Sequence, residues 1–118
     1  MRVKSELINP AALHEAITYS GGVFRELARI IRAAIGRARR RKSAQIEPED
    51  VEWAATEIRN EYRRILDKED IKLLKKVHEG KKLEYSEQMM PMLQLLAILE
   101  YRDQENWCDI HPVLRKIL

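Results

Sequence analysis

The stretch Ser20–Lys42, SGGVFRELARIIRAAIGRARRRK, decides how the chain is read. It opens on Gly21-Gly22, residues free to take the left-handed backbone angles that end one helix and admit another. Val23, Leu27, Ile30, Ile31, Ala34 and Ala38 then recur at helical spacing and mark one apolar face of a helix running to about Arg40. Arginines fill the intervals, and the run closes on Arg39-Arg40-Arg41-Lys42. Eight Arg and Lys lie between Gly22 and Lys42 against one acid, Glu26, in a chain whose net charge is only +3. Basicity gathered in one place points to a polyanionic partner more strongly than a high pI spread over the surface.

Working outward, Asn9-Pro10 pairs a good N-cap with a proline at the first helical position, which predicts a first helix over about Pro10–Tyr19. Ser43-Ala44-Gln45-Ile46 is a short connector, and Glu47-Pro48-Glu49-Asp50 starts a third helix with acids in its first turn. Val51, Ala54, Ala55, Ile58, Tyr62, Ile65 and Leu66 give that helix one apolar face. From Asp67, Ile71, Leu74 and Val77 predict a fourth helix stopping at Gly80. Ser86-Glu87 opens a fifth through Met89, Met92, Leu93 and Leu96, with Pro91 in its first turn or kinking it. Two short strands, Ile98–Tyr101 and Trp107–Ile110, flank a polar Arg102–Asn106 loop, and Val113, Leu114, Ile117 and Leu118 form a last helical turn. The expected fold is mainly α: a three-helix bundle over residues 1–66, then a small winged-helix-like α+β module with one β-hairpin over 67–118.

The chain's 118 residues suffice for one domain or two small subdomains. At 45% hydrophobic and 35% charged residues, the composition is that of a soluble, helix-rich globular protein. The single Cys108 excludes an internal disulfide, and a reducing cytoplasm is the expected location. His14, His78 and His111 have neither metal-ligand spacing nor a nucleophile at motif distance, so no catalytic and no metal residue is assigned. The first ten residues, MRVKSELINP, lack the apolar core of a signal peptide, and the longest apolar run, Leu95–Leu99, is far too short for a bilayer, so no membrane partner is expected.

With Gly22-Val23-Phe24-Arg25 identified, the chain resembles the C-terminal region of AAA+ and related STAND-type P-loop ATPases, in particular replication-initiator ATPases and prokaryotic ATPases built like them. In that family a helical lid follows the ATPase core and carries a Gly-x-x-Arg whose arginine, sensor 2, reaches the γ-phosphate of ATP. The likeness extends to Ile46-Glu47-Pro48-Glu49-Asp50-Val51 with Ala54-Ala55, similar to the start of the lid's last helix. It extends also to Leu99-Glu100-Tyr101, Trp107 and His111-Pro112, similar to the ending of prokaryotic winged-helix tails. The resemblance implies a nucleotide-sensing site at Gly21, Gly22 and Arg25. ATP and Mg²⁺ would be held by an upstream ATPase core, and no cofactor by this chain. No G-x-x-x-x-G-K-[ST] loop occurs, and no apolar strand ends in Mg²⁺-binding acids, so the chain alone is not expected to hydrolyse ATP. The expectation is a regulatory fragment of a longer ATPase, whose C-terminal module docks to DNA or a partner protein.

The remaining basic residues have structural readings beside their functional ones. Arg25 itself has the alternative of a solvated arginine paired to Glu26 or Glu15. Arg29 and Arg32 follow it on one helix face, toward a nucleotide domain, DNA or solvent. Arg37, Arg39, Arg40, Arg41 and Lys42 form a candidate phosphate-backbone site, and as cations at a helix C-terminus they also complement its macrodipole. The hairpin loop holds two acids against one base, which is poor chemistry for touching phosphate. Met89, Met90, Met92, Trp53, Trp107 and Tyr101 are expected in the core, with Cys108 buried and inert. Two alternatives compete: a free-standing winged-helix DNA-binding or transcription-regulating protein, and a histone-like DNA-binding dimer, which the long central helix and Glu49–Ala54 also suit.

Overall fold

The structure is a computed structural model and describes residues 7–81, 87–102 and 106–118. It is mainly helical with one antiparallel hairpin: α1 Pro10–Ser20, α2 Phe24–Arg40, α3 Pro48–Ile65, α4 Lys68–Gly80, α5 Met89–Gln94, β1 Ile98–Arg102, β2 Asn106–Ile110 and a closing 3₁₀ turn, Pro112–Ile117. The chain divides into two compact units, Met1–Arg59 and Asn60–Leu118.

In the first unit, Asn9 caps α1 by accepting the Ala11 N–H at 2.8 Å, with Pro10 in the first turn. Ala12, Ala16 and Ser20 are the buried residues of α1, and such small side chains let a neighbouring helix approach closely. The line buried on α2 is Glu26, Ile30, Ala34 and Ala38, spaced four apart. Val23, Leu27 and Ile31, expected on the buried face, are only half covered, and a carboxylate takes the place of an apolar residue at Glu26. α2 ends in a Schellman motif: Ser43 N–H donates to Ala38 O and Lys42 N–H to Arg39 O, with Lys42 at φ 57° where glycine is usual. Val51, Ala54, Ala55 and Ile58 of α3 complete this core.

The connector before α3 is more than a link. Ile46 and Ile8 form a parallel bridge, with Asn9 N–H donating to Ile46 O at 2.9 Å and Ile46 N–H to Leu7 O at 2.8 Å. α1 and α3 therefore start side by side.

In the second unit, α4 begins with a capping box in which Asp67 and Asp70 each accept the other's backbone N–H, at 2.8 and 3.0 Å. Gly80 is its last helical residue, and Lys81, not the glycine, takes the left-handed position at φ 53°. Lys81 is held there by its own bonds: its carbonyl accepts from Cys108 N–H and its ammonium reaches Asp109. α5 is shorter than the sequence implies; Pro91 sits in its first turn, and Leu96 at φ 61° ends it. Ser86 and residues 103–105 of the hairpin loop lie outside the described residues.

The strands pair from Ile98↔Ile110 to Arg102↔Asn106, and His111 N–H adds a bond to Ala97 O. A lone hairpin is marginal in water. Here α4 packs on β2 and α5 on β1, leaving Ile98, Leu99, Cys108 and Ile110 buried. Tyr62, from the last turns of α3, donates its hydroxyl to Leu95 O at 2.7 Å and lies 6.1 Å from the His111 ring.

Candidate functional site

The Gly21-Gly22 turn is built from its residues upward. Ser20 is buried, and its hydroxyl donates to Ile17 O at 2.6 Å while accepting from Gly22 N–H at 3.2 Å. Gly21 and Gly22 take φ 63° and 77°, angles that cost an L-residue roughly 1–2 kcal/mol. A β-carbon on Gly22 would meet nothing within 4 Å, so the angle requires the glycine and the turn's outer surface is open. Val23 N–H closes the turn on Ser20 O, and α2 begins at Phe24 without a side-chain cap. The first-turn amides of such a helix lack intrahelical partners and carry the positive end of its dipole.

Arg25 stands exposed in that first turn and enters no ion pair with any described residue. Glu26 is turned inward, only 2% exposed, and its Oε1 lies 3.3 Å from Arg29 Nη1. Phe24 beside it is 82% exposed, an exposure the apolar pattern did not signal.

At the far end of α2 the basic cluster divides. Arg41 grips Asp50 with a two-pronged fork, Nε to Oδ1 at 2.8 Å and Nη2 to Oδ2 at 2.6 Å, and its Nη1 lies 2.9 Å from Glu49 Oε1. Asp50 is fully buried and also accepts the Glu47 N–H at 2.9 Å. The Arg41 hydrogen bonds hold the Asp50 carboxyl below its ordinary value, against the opposing effect of burial. Arg37 and Arg40 place their guanidinium carbons 5.7 and 4.8 Å from the centre of the Trp53 ring. Trp53 is therefore a shelf for two arginines, a role the sequence left unread although Trp53 lies one turn beyond Asp50 on α3. Arg39 and Lys42 remain exposed. Close by, Tyr19 donates its hydroxyl to Glu52 Oε2 at 2.6 Å and ties α1 to α3; burial, then Glu52, pushes its hydroxyl up to about 12.

The second unit holds one dense polar group. Asp109 on β2 has its side chain 9% exposed, with Lys81 Nζ at 2.6 Å, His78 Nδ1 at 2.9 Å and Arg115 Nη2 at 3.8 Å. Burial raises the Asp109 carboxyl, and the hydrogen bonds from Lys81, His78 and the Ile110 N–H more than offset that, so it titrates below its ordinary 3.8. A depressed carboxylate stabilises the fold above its unfolded pKa, and that stabilisation is lost as pH falls through the folded value. Asp109→Asn is expected to cost ~1–2 kcal/mol at pH 7, with the exposed Lys81 and Arg115 discounted for solvent screening. The gap between the thermal melts of the two proteins should begin to close as pH drops below about 4 and vanish only below the folded value, and a gap that does not narrow at all on acidification would refute the assignment.

On the same side of the hairpin Tyr101 and Trp107 stack at 4.4 Å and 21°. Cys108 is buried, and burial pushes its thiol up. Among the described residues, no group of three or more His, Cys, Asp or Glu is placed to hold a metal, and no helix is long and apolar enough to cross a membrane. No family model matches the chain, and no match was found among curated proteins or solved structures.

Proposed function

We propose that this chain is the non-catalytic regulatory region of an AAA+/STAND-type ATPase, its first unit serving as the nucleotide-sensing lid. The observation that carries the reading is the left-handed Gly21-Gly22 turn with Arg25 exposed in the first turn of α2 and in no ion pair with any described residue. A guanidinium beside a helix N-terminus fits a phosphate in charge and hydrogen-bonding geometry. In this proposal an upstream core binds ATP and Mg²⁺, and the lid adds Arg25, backed by the α2 amides, at the terminal phosphate. Closing and opening of the lid with nucleotide state is then an order of events set by one contact. The α4–α5–hairpin succession, with the last turns of α3, serves as a winged-helix-like module that docks to DNA or a partner protein. The test is ATP turnover of the full-length protein with and without Arg25→Ala: strong loss supports the lid role, and equal turnover removes it.

A further inference from the structure

Beyond Phe24, every exposed residue of α2 is an arginine: Arg25, Arg32, Arg39 and Arg40. Arg29, with its side chain 34% exposed, fills the gap between the first two. The arrangement follows from the buried line at Glu26, Ile30, Ala34 and Ala38, because at 100° per residue positions 25, 29, 32, 36 and 39 fall on the opposite side. Gly36 is the one non-arginine there, and a β-carbon on it would lie 3.7 Å from Arg40 Nη1. The helix's only acid is the buried Glu26, so no carboxylate of α2 interrupts the ridge. Arg25, Arg32 and Arg39 enter no ion pair with any described residue, whereas Arg41, one step past the helix, is committed to Asp50 and Glu49.

We infer that the solvent face of α2 is a docking ridge for the sugar-phosphate backbone of a nucleic-acid duplex, made by Arg29, Arg32, Arg39 and Arg40. From Arg29 to Arg40 the ridge is about 16 Å long at 1.5 Å per residue. A duplex sets about one phosphate per 3.4 Å of its axis on each strand, and because the strand winds away from the ridge, on the order of three phosphates lie within that reach. Guanidinium groups meet phosphate oxygens through two hydrogen bonds. Trp53 holds Arg40 in place, which lowers the entropy lost when it binds. An acidic protein partner fits less well: protein interfaces have a core depleted of charge, while this ridge beyond Phe24 exposes only charge. α2 carries no Asn or Gln to read adenine, so the contact follows the backbone. The inference goes beyond the lid reading and stands without it, since it asks nothing of ATP.

The experiment is fluorescence anisotropy of the 118-residue protein with a labelled 20-base-pair duplex of arbitrary sequence, over a salt series. Micromolar binding at about 50 mM salt is expected, with log K falling against log salt at a slope of about −3. Arg32→Gln with Arg39→Gln should lower affinity at least tenfold and flatten the slope by about 2, while the paired Lys substitutions at the same positions keep the slope. Both residues are exposed, and an unchanged circular dichroism spectrum and melting temperature confirm the fold of the variant. Lys75→Gln with Lys76→Gln on α4 removes the same charge and should leave the slope in place. The inference is overturned if the unmodified protein shows no binding at 50 mM salt, or if the lysine pair flattens the slope as much as the arginine pair. It is also overturned if polyglutamate of equal charge competes as well as duplex, which would make the ridge a surface for acidic protein.

Discussion

If α2 supplies the proposed sensor arginine, Arg25→Ala in the full-length protein is expected to lower ATP turnover by about 10³-fold or more, the range seen when an arginine that neutralises a transferring phosphoryl group is removed. The size of the loss is informative because the substitution touches so little else. Arg25 is exposed and unpaired within the described residues, so its removal should change folding stability by no more than about 0.5 kcal/mol. Arg25→Lys separates charge from shape: a lysine keeps the positive charge but loses the planar fork, and an intermediate turnover is expected. If the substituted protein binds ATP with unchanged affinity and turns it over at the original rate, Arg25 does not face the γ-phosphate. Loss of turnover with a collapsed melting temperature would point instead to damage of the turn.

Asp50→Ala is the substitution expected to harm folding most. Its carboxylate is fully buried and accepts from two guanidinium N–H groups and from the Glu47 amide, so three donors lose their acceptor at once. Charge-assisted hydrogen bonds contribute about 1.5–3 kcal/mol each, and solvent repairs part of the loss on the Arg41 side, which leaves a cost on the order of 2–4 kcal/mol. For a unit of this size that is a fall in melting temperature of more than about 10 °C. Asp50→Asn retains acceptors for the Glu47 amide and one Arg41 prong and should fall between. Asp50 is a depressed carboxylate, so its contribution is present above the ordinary 3.8 and disappears as pH drops through the folded value. A drop under about 3 °C for the alanine variant, measured near neutral pH, would show that the fork is ornamental to stability.

What the sequence disclosed depended on whether the signal was local. Asn9-Pro10, Pro48 and the two strand segments announce themselves because capping and strand alternation act over a few residues. Burial of Glu26 was illegible for the opposite reason: the apolar stripe places the core line near Val23 and Leu27, and only packing against α1 rotates it onto a carboxylate partnered by Arg29. Lys81 in place of Gly80 at the end of α4 is a similar case, since the bonds that hold it come from β2, some 28 residues away in the chain. Gly21, Gly22 and Arg25 stand out in the string only through the resemblance of Gly22-Val23-Phe24-Arg25 to a lid motif, and the division among Arg37, Arg39, Arg40, Arg41 and Lys42 does not stand out at all. Five neighbouring cations look alike in a string; Asp50 and Trp53, supplied by another helix, make them different.

The pairing of Ile8 with Ile46 closes a ring of chain that contains all of α1 and α2. Closing such a ring costs entropy that grows only slowly with its length, so two backbone hydrogen bonds and two buried isoleucines suffice to hold it. The segment just ahead of α1 is thereby a strap on the start of α3, and a truncation or fusion joint placed after Ile8 would strip the Ile46 amide of its partner, the Leu7 carbonyl, and remove the buried Ile8 side chain. Any mechanical pull arriving from the upstream side would be felt first at Ile46, before it reached either helix in between.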